Sequence, residues 1–138
     1  MSITLAKAKA MVQTATEKAR QLGCTMTFVV MNSEGQIMLL ERMDGAAWIT
    51  SDIATAKAYT AVAFRLIGDR FTDTETIGRY FADTPTMLSS LGVLSHGKII
   101  GRGGGFPIVK DGKVLGGFGV SGGKAAQDDE CAKTALQA

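Results

Sequence analysis

The chain has 138 residues, of which 46% are hydrophobic and 20% charged, enough apolar content for one ordinary domain and too much for a disordered chain. Lys plus Arg is 15 against 13 Asp plus Glu, and a net charge of +2 lacks the basic excess of a nucleic-acid binder. One histidine and two cysteines, Cys24 and Cys131, in no CxxC or HxxxH spacing, exclude the usual Cys/His zinc site, so no structural metal is expected.

The reading is of a single domain over residues 1–138. The N-terminal residues run straight into an amphipathic pattern with no apolar leader, and no apolar run is long enough to span a bilayer. This predicts a soluble, cytoplasmic protein with no membrane partner and with two unpaired thiols.

Leu5, Ala8, Val12, Ala15, Ala19 and Leu22 recur at three- and four-residue steps, which predicts a first helix, and Gly23 follows where a left-handed C-terminal cap belongs. Thr25 to Met31 and Ile37 to Leu40, around the turn residues Asn32 to Gly35, predict a hairpin. A second helix is expected from about Ser51 to Leu66. Its alanines 54, 56, 58, 61 and 63 leave a narrow surface that a sheet can approach closely. Asp73 to Ala82 reads as a short third helix and Pro85 to Leu91 as irregular or briefly helical. A weak strand near Ile99, one near Ile108 and one from Val114 to Val120 follow. Asp111-Gly112 is the type I′ turn signal between the last two. Lys124 to Ala138 is the closing helix, with Asp128, Asp129 and Glu130 where its dipole favours acidic groups. Hairpin-linked strands with helices at both ends and in the middle make an α+β layered domain.

Glycine is the unusual entry in the composition, 17 residues with a dense group between Gly97 and Gly123. Gly103, Gly104, Gly105, Phe106 and Pro107 can expose backbone N–H groups to an anion or let a flat ligand lie on the main chain. They can equally be a sharp bend entering a closely packed strand. Ser121, Gly122 and Gly123 precede a helix, where free N–H groups attract carboxylate or phosphate, or where serine caps the turn and the glycines admit a neighbour. Lys57 lies among alanines: it snorkels to water, or in desolvated surroundings it serves as an anion partner or base. Asp44 and Asp128 are the candidate acid/base groups beside it. His96, the single imidazole, either ligates iron, shuttles protons or is simply solvated.

Arg42-Met43-Asp44-Gly45-Ala46, Ala56-Lys57-Ala58-Tyr59-Thr60-Ala61 with Phe64, Gly104-Gly105-Phe106-Pro107-Ile108, Asp111-Gly112 and Gly119-Val120-Ser121-Gly122-Gly123, followed by Gln127-Asp128, occur in this order along the chain. Together they resemble the GlcG/HbpS-like family, also called the haem-degrading or PduO C-terminal-like domain. The resemblance implies a profilin-like fold of α/β/α layers with an antiparallel five-stranded sheet, and a homo-oligomer. Among the relatives are haem-binding sensor partners, domains attached to corrinoid adenosyltransferases and small proteins of glycolate or aromatic-acid catabolism. Haem is therefore the candidate cofactor. The first-helix histidine of some haem-binding relatives is absent here, so a methionine, a threonine or His96 would have to replace it.

Two functions follow. One is a small oligomeric protein that binds haem or a related planar or anionic ligand through Gly103 to Pro107 and Ser121 to Gly123. The other is an isomerase, hydratase or lyase acting on a small carboxylate, with Lys57 as anion partner or base and Asp44 or Asp128 as acid/base.

Overall fold

A computed structural model describes residues 1–138. Helix α1 (Leu5–Gln21) begins at Thr4, whose hydroxyl accepts the Lys7 N–H, and ends at Gly23, which takes the expected left-handed φ of +70°. Strands β1 (Thr27–Asn32) and β2 (Ile37–Arg42) form the first hairpin. Helix α2 (Ile49–Phe64) starts two residues before the expected position and stops two before Leu66. Leu66 belongs instead to a small separate hairpin, β3 (Leu66–Ile67) and β4 (Arg70–Phe71). Helices α3 (Thr74–Tyr80) and α4 (Pro85–Leu94) follow. The segment from Pro85 is a full helix rather than a brief turn: proline sits at its first position, where no N–H is needed, Gly92 keeps helical geometry within it, and the left-handed residues that end it come only at His96-Gly97. Strands β5 (Gly105–Lys110) and β6 (Lys113–Ser121) meet at Asp111-Gly112, whose φ values of +51° and +72° suit the expected turn. Helix α5 (Ala125–Leu136) ends the chain's regular structure.

The main sheet is antiparallel in the order β2-β1-β6-β5. Four strands replace the expected five. The apolar segment at Ile99 is not a strand, because its backbone is held by α2. The Thr60 hydroxyl donates to the Lys98 carbonyl at 3.1 Å and accepts the Ile100 N–H at 3.0 Å, so the segment's polar groups are satisfied without a strand neighbour.

The α/β/α layering is as expected. One sheet face turns Phe28, Val30, Phe118 and Val120 toward α1 and α5, in a cluster with Ala8, Val12, Ala15, Cys131, Ala132 and Ala135. The other turns Val29 and Met31 toward Ala54, Ala58 and Val62 of α2. On this second face β6 contributes Gly117 and Gly119. A Cβ on Gly119 would collide with the Ala54 carbonyl and lie 2.7 Å from the Ala58 nitrogen, so the alanine surface of α2 and these glycines are two halves of one close contact. The cysteines are unpaired: Cys131 is buried, its thiol pushed up to about 12 mainly by burial, and Cys24 is partly buried at the same cluster. No helix is long and apolar enough to cross a membrane.

Candidate functional site

Lys57 points away from water. Its side chain is 1% exposed, and Nζ donates to the Val120 carbonyl and to Asp128 Oδ2, both at 2.8 Å. Asp128 is likewise buried, and its other oxygen accepts the Gly123 N–H at 2.9 Å. Because α2 and α5 lie on opposite faces of the sheet, this ion pair ties the two outer layers together past the end of β6.

The passage exists because residue 104 has no side chain. Gly104 has φ +115°, and a Cβ there would lie 2.6 Å from the Val120 oxygen, 2.8 Å from Lys57 Nζ and 2.9 Å from Asp128 Cβ. Gly105 packs against the Lys57 backbone. Its N–H donates to Thr74 Oγ1 at 2.9 Å, so α3 fastens the start of edge strand β5. Asp128 stands in the first turn of α5, where the helix dipole favours a carboxylate.

Electrostatics at the junction are set by burial. Loss of water holds the Lys57 ammonium below the ordinary lysine value, against the opposing hydrogen bond and charge of Asp128; Arg102 depresses it further. Burial also pushes the Asp129 carboxyl up, with the Gly104 amide pulling it back and the charge of Glu75 adding to the rise. Asp129 Oδ1 is buried without a hydrogen-bond partner, and Gly103 leaves just enough room for this carboxylate.

The structure thus brings Lys57, Asp128, Gly103, Gly104, Gly105 and Gly123 together. Ser121 is buried close by, opposite Thr27 in the register. Pro107 is buried in β5, and Gly122 is exposed at φ +144°. Asp44 stands elsewhere. It is exposed in the turn after β2, separated from β6 by β1, and borders a surface cleft of about 400 Å³ with Arg20, Arg42 and Glu41. Phe106 is half-buried on the α5 side, and Lys133 Nζ lies 5.8 Å from its ring centroid.

Three participants had no signal of their own in the sequence. Asp129 is distinguished from Asp128 only by the 100° step of α5, which sends one carboxylate to Lys57 and the next to Gly103. Thr74 and Lys133 reach the glycine strand from helices remote in the chain.

For a cofactor, the donors are few. No three His, Cys, Asp or Glu side chains come together. His96 is exposed at φ +57° after α4. The groove of about 420 Å³ between α1 and α5 is lined by Gln13, Thr14, Glu17, Lys18, Gln21 and Thr134, with no apolar side chain.

Comparison with known proteins gives a consistent picture. The family model described as "Haem degrading protein HbpS-like" matches residues 3–137. An uncharacterised 15.0 kDa protein from the dhaT-dhaS intergenic region of Citrobacter freundii is 38% identical over 135 residues, 98% of this chain and 90% of that protein. The corrinoid adenosyltransferase PduO of Salmonella typhimurium is 32% identical over 126 residues, which span 90% of this chain but only 35% of the enzyme. The crystal structure of a PduOC:haem complex superposes with a TM-score of 0.86 at 29% identity, covering 99% of this chain and 94% of the other.

Proposed function

Because the chain belongs to the HbpS-like family, we propose that it is a binding module for haem or a related flat, anionic ligand, working as a homo-oligomer. The observation that carries the reading is the close likeness to a solved chain that holds haem.

The exposed chemistry supports it. Of the glycine-rich segments, most residues are spent inside, where they make room for α2 and for the Lys57–Asp128 pair. What remains accessible is part of Phe106, with the Lys133 ammonium 5.8 Å from its ring centroid, and the Gly122-Gly123 turn. An aromatic ring beside an ammonium suits a planar ligand that carries carboxylates.

Iron ligation fits the residues poorly. The single imidazole, His96, is exposed and the α1 groove has no apolar lining, so histidine ligation in an enclosed pocket is not supported within one copy of the chain. The reading therefore rests on the flat face and carboxylates that haem shares with smaller aromatic acids. An enzyme working through Lys57 would need its ammonium in contact with substrate. At 1% exposure, with two of its three donors used internally, Lys57 does not favour that alternative.

Titrating micromolar protein with haemin tests the proposal. We expect a shift of the Soret band, and several-fold weaker binding by Lys133→Glu. A band that stays at the position of free haemin removes haem from the reading. Unchanged affinity in Lys133→Glu removes the Phe106 corner.

A further inference from the structure

The short hairpin β3–β4 stands apart from the main sheet and keeps its apolar pair outside. Leu66 and Phe71 are opposite each other in its register, so their side chains lie on one side of it, and they stay 47% and 43% exposed. Two residue pairs alone do not hold a hairpin in water. This one is closed at its base, where the buried Thr72 donates its N–H to the Arg65 carbonyl at 3.1 Å. Arg65 takes φ +41° there, uncommon for a residue with a side chain. Two carbonyls fix its guanidinium: Nε donates to Val62 at 3.2 Å and Nη2 donates to Ser33.

Arg65, Leu66 and Phe71 border a cleft of about 370 Å³ whose other side is the β5–β6 turn, Gly112 to Val114. That volume falls at the lower end of small-molecule sites. Its charge sets it apart. The four other sizeable clefts each include carboxylates: Glu17; Glu41 and Asp44; Glu34; Asp129 and Glu130. This one includes two cations, Arg65 and Lys113, and no acid. Asp69 and Asp111 stand in the two turns, and neither forms an ion pair with those cations. Lys113 also pairs with Lys110 across its hairpin, a like-charge contact that an anion would relieve. Arg65 spends two of its five N–H donors on the carbonyls and keeps three, and a guanidinium fork matches the two oxygens of a carboxylate.

We propose that this cleft binds an aromatic carboxylate, with the ring against Phe71 and Leu66 and the carboxylate between Arg65 and Lys113. It is a second site, beyond the Phe106 corner of the proposed function. Strand β6 leads from Lys113 to the Lys57–Asp128 junction and separates the two ends by roughly 20–25 Å.

Titration of the nitrogen-15-labelled chain with 2-naphthoate, followed by amide shifts, tests the site. We expect saturable shifts concentrated at Leu66, Phe71, Gly112, Lys113 and Val114. The neutral analogue 2-naphthalenemethanol should bind about tenfold more weakly, the loss of one charged contact. Lys113→Glu should weaken naphthoate binding by about the same factor, and it keeps the fold because glutamate pairs with Lys110 across the hairpin. Lys9→Glu, the same charge change at an exposed position of α1, should keep the wild-type affinity. Equal binding of the neutral analogue, or unchanged affinity in Lys113→Glu, would show that charge does not select the ligand and would overturn the proposal. Absence of saturable shifts at millimolar naphthoate overturns it too. Shifts at Phe106 and Lys133 instead would overturn this site while supporting the other corner. Haemin binding is read separately by the Soret band, so either reading can fail with the other left standing.

Discussion

The glycine junction and helix α4 invert what their compositions suggest. The junction holds a lysine, two aspartates and a run of glycines, the makings of a solvent-facing ligand site, yet Lys57 and Asp128 are closed inside and paired with each other. Helix α4 is apolar, the makings of a core element, yet none of it is buried. The difference teaches that residue type sets what a segment needs, while the topology decides where the need is met. Asp128, the Val120 carbonyl and the absent side chain of Gly104 meet the needs of Lys57 within one chain. Nothing within one chain meets those of Val93 and Leu94.

The largest effect that would break this contrast is expected at Lys57. Lys57→Met leaves the Asp128 carboxylate buried without its cation, which should cost about 3–5 kcal/mol in urea unfolding. A second replacement, Asp128→Leu, removes the stranded charge and should restore much of that loss, because a buried ion pair and a packed apolar pair are often nearly equal in stability. A loss below about 1 kcal/mol in the single variant would mean that Lys57 reaches water as a surface lysine does.

Gly119→Ala comes next. Its methyl group meets backbone atoms of α2, which cannot rotate aside, so the helix must shift; about 1–3 kcal/mol is expected. Thermal melts that match the wild type would show that the α2 contact is looser than the alanine and glycine complementarity implies.

Asp129→Asn should have the smallest effect, and in the opposite direction. The folded pKa of Asp129 is raised above 3.8 by burial, so the carboxyl favours folding most fully below pH 3.8, and that contribution is lost as pH rises through the folded value. Replacing it with the uncharged amide should flatten this acidic arm of the stability profile and stabilise the protein at neutral pH by under about 1 kcal/mol. An unchanged pH profile would mean that Asp129 is solvated in the native state.

Much of the fold was legible because its signals are local. The spacing from Leu5 to Leu22, the glycine at 23 and the Asp111-Gly112 turn each specify their own conformation within a few residues. Ile99 misled for the same reason. A short apolar run reads as a strand, and only the folded chain shows that the Thr60 hydroxyl takes the place of the strand neighbour. At the site, Lys57, Asp128 and the glycines were all visible as candidates, but their closure into one buried network depends on α2 and α5 reaching the end of β6 from opposite faces. No local pattern encodes that meeting, and Asp44, adjacent in motif to the others, stays outside it.

If the junction is internal framework and the ligand works from outside it, the haemin response should not depend on the buried charges. The most direct test is therefore a Soret titration of the wild type beside Lys57→Met/Asp128→Leu, with circular dichroism confirming the fold of each. The prediction is the same haemin affinity in both. A response that is missing from the wild type, or that disappears in a natively folded double variant, would contradict it.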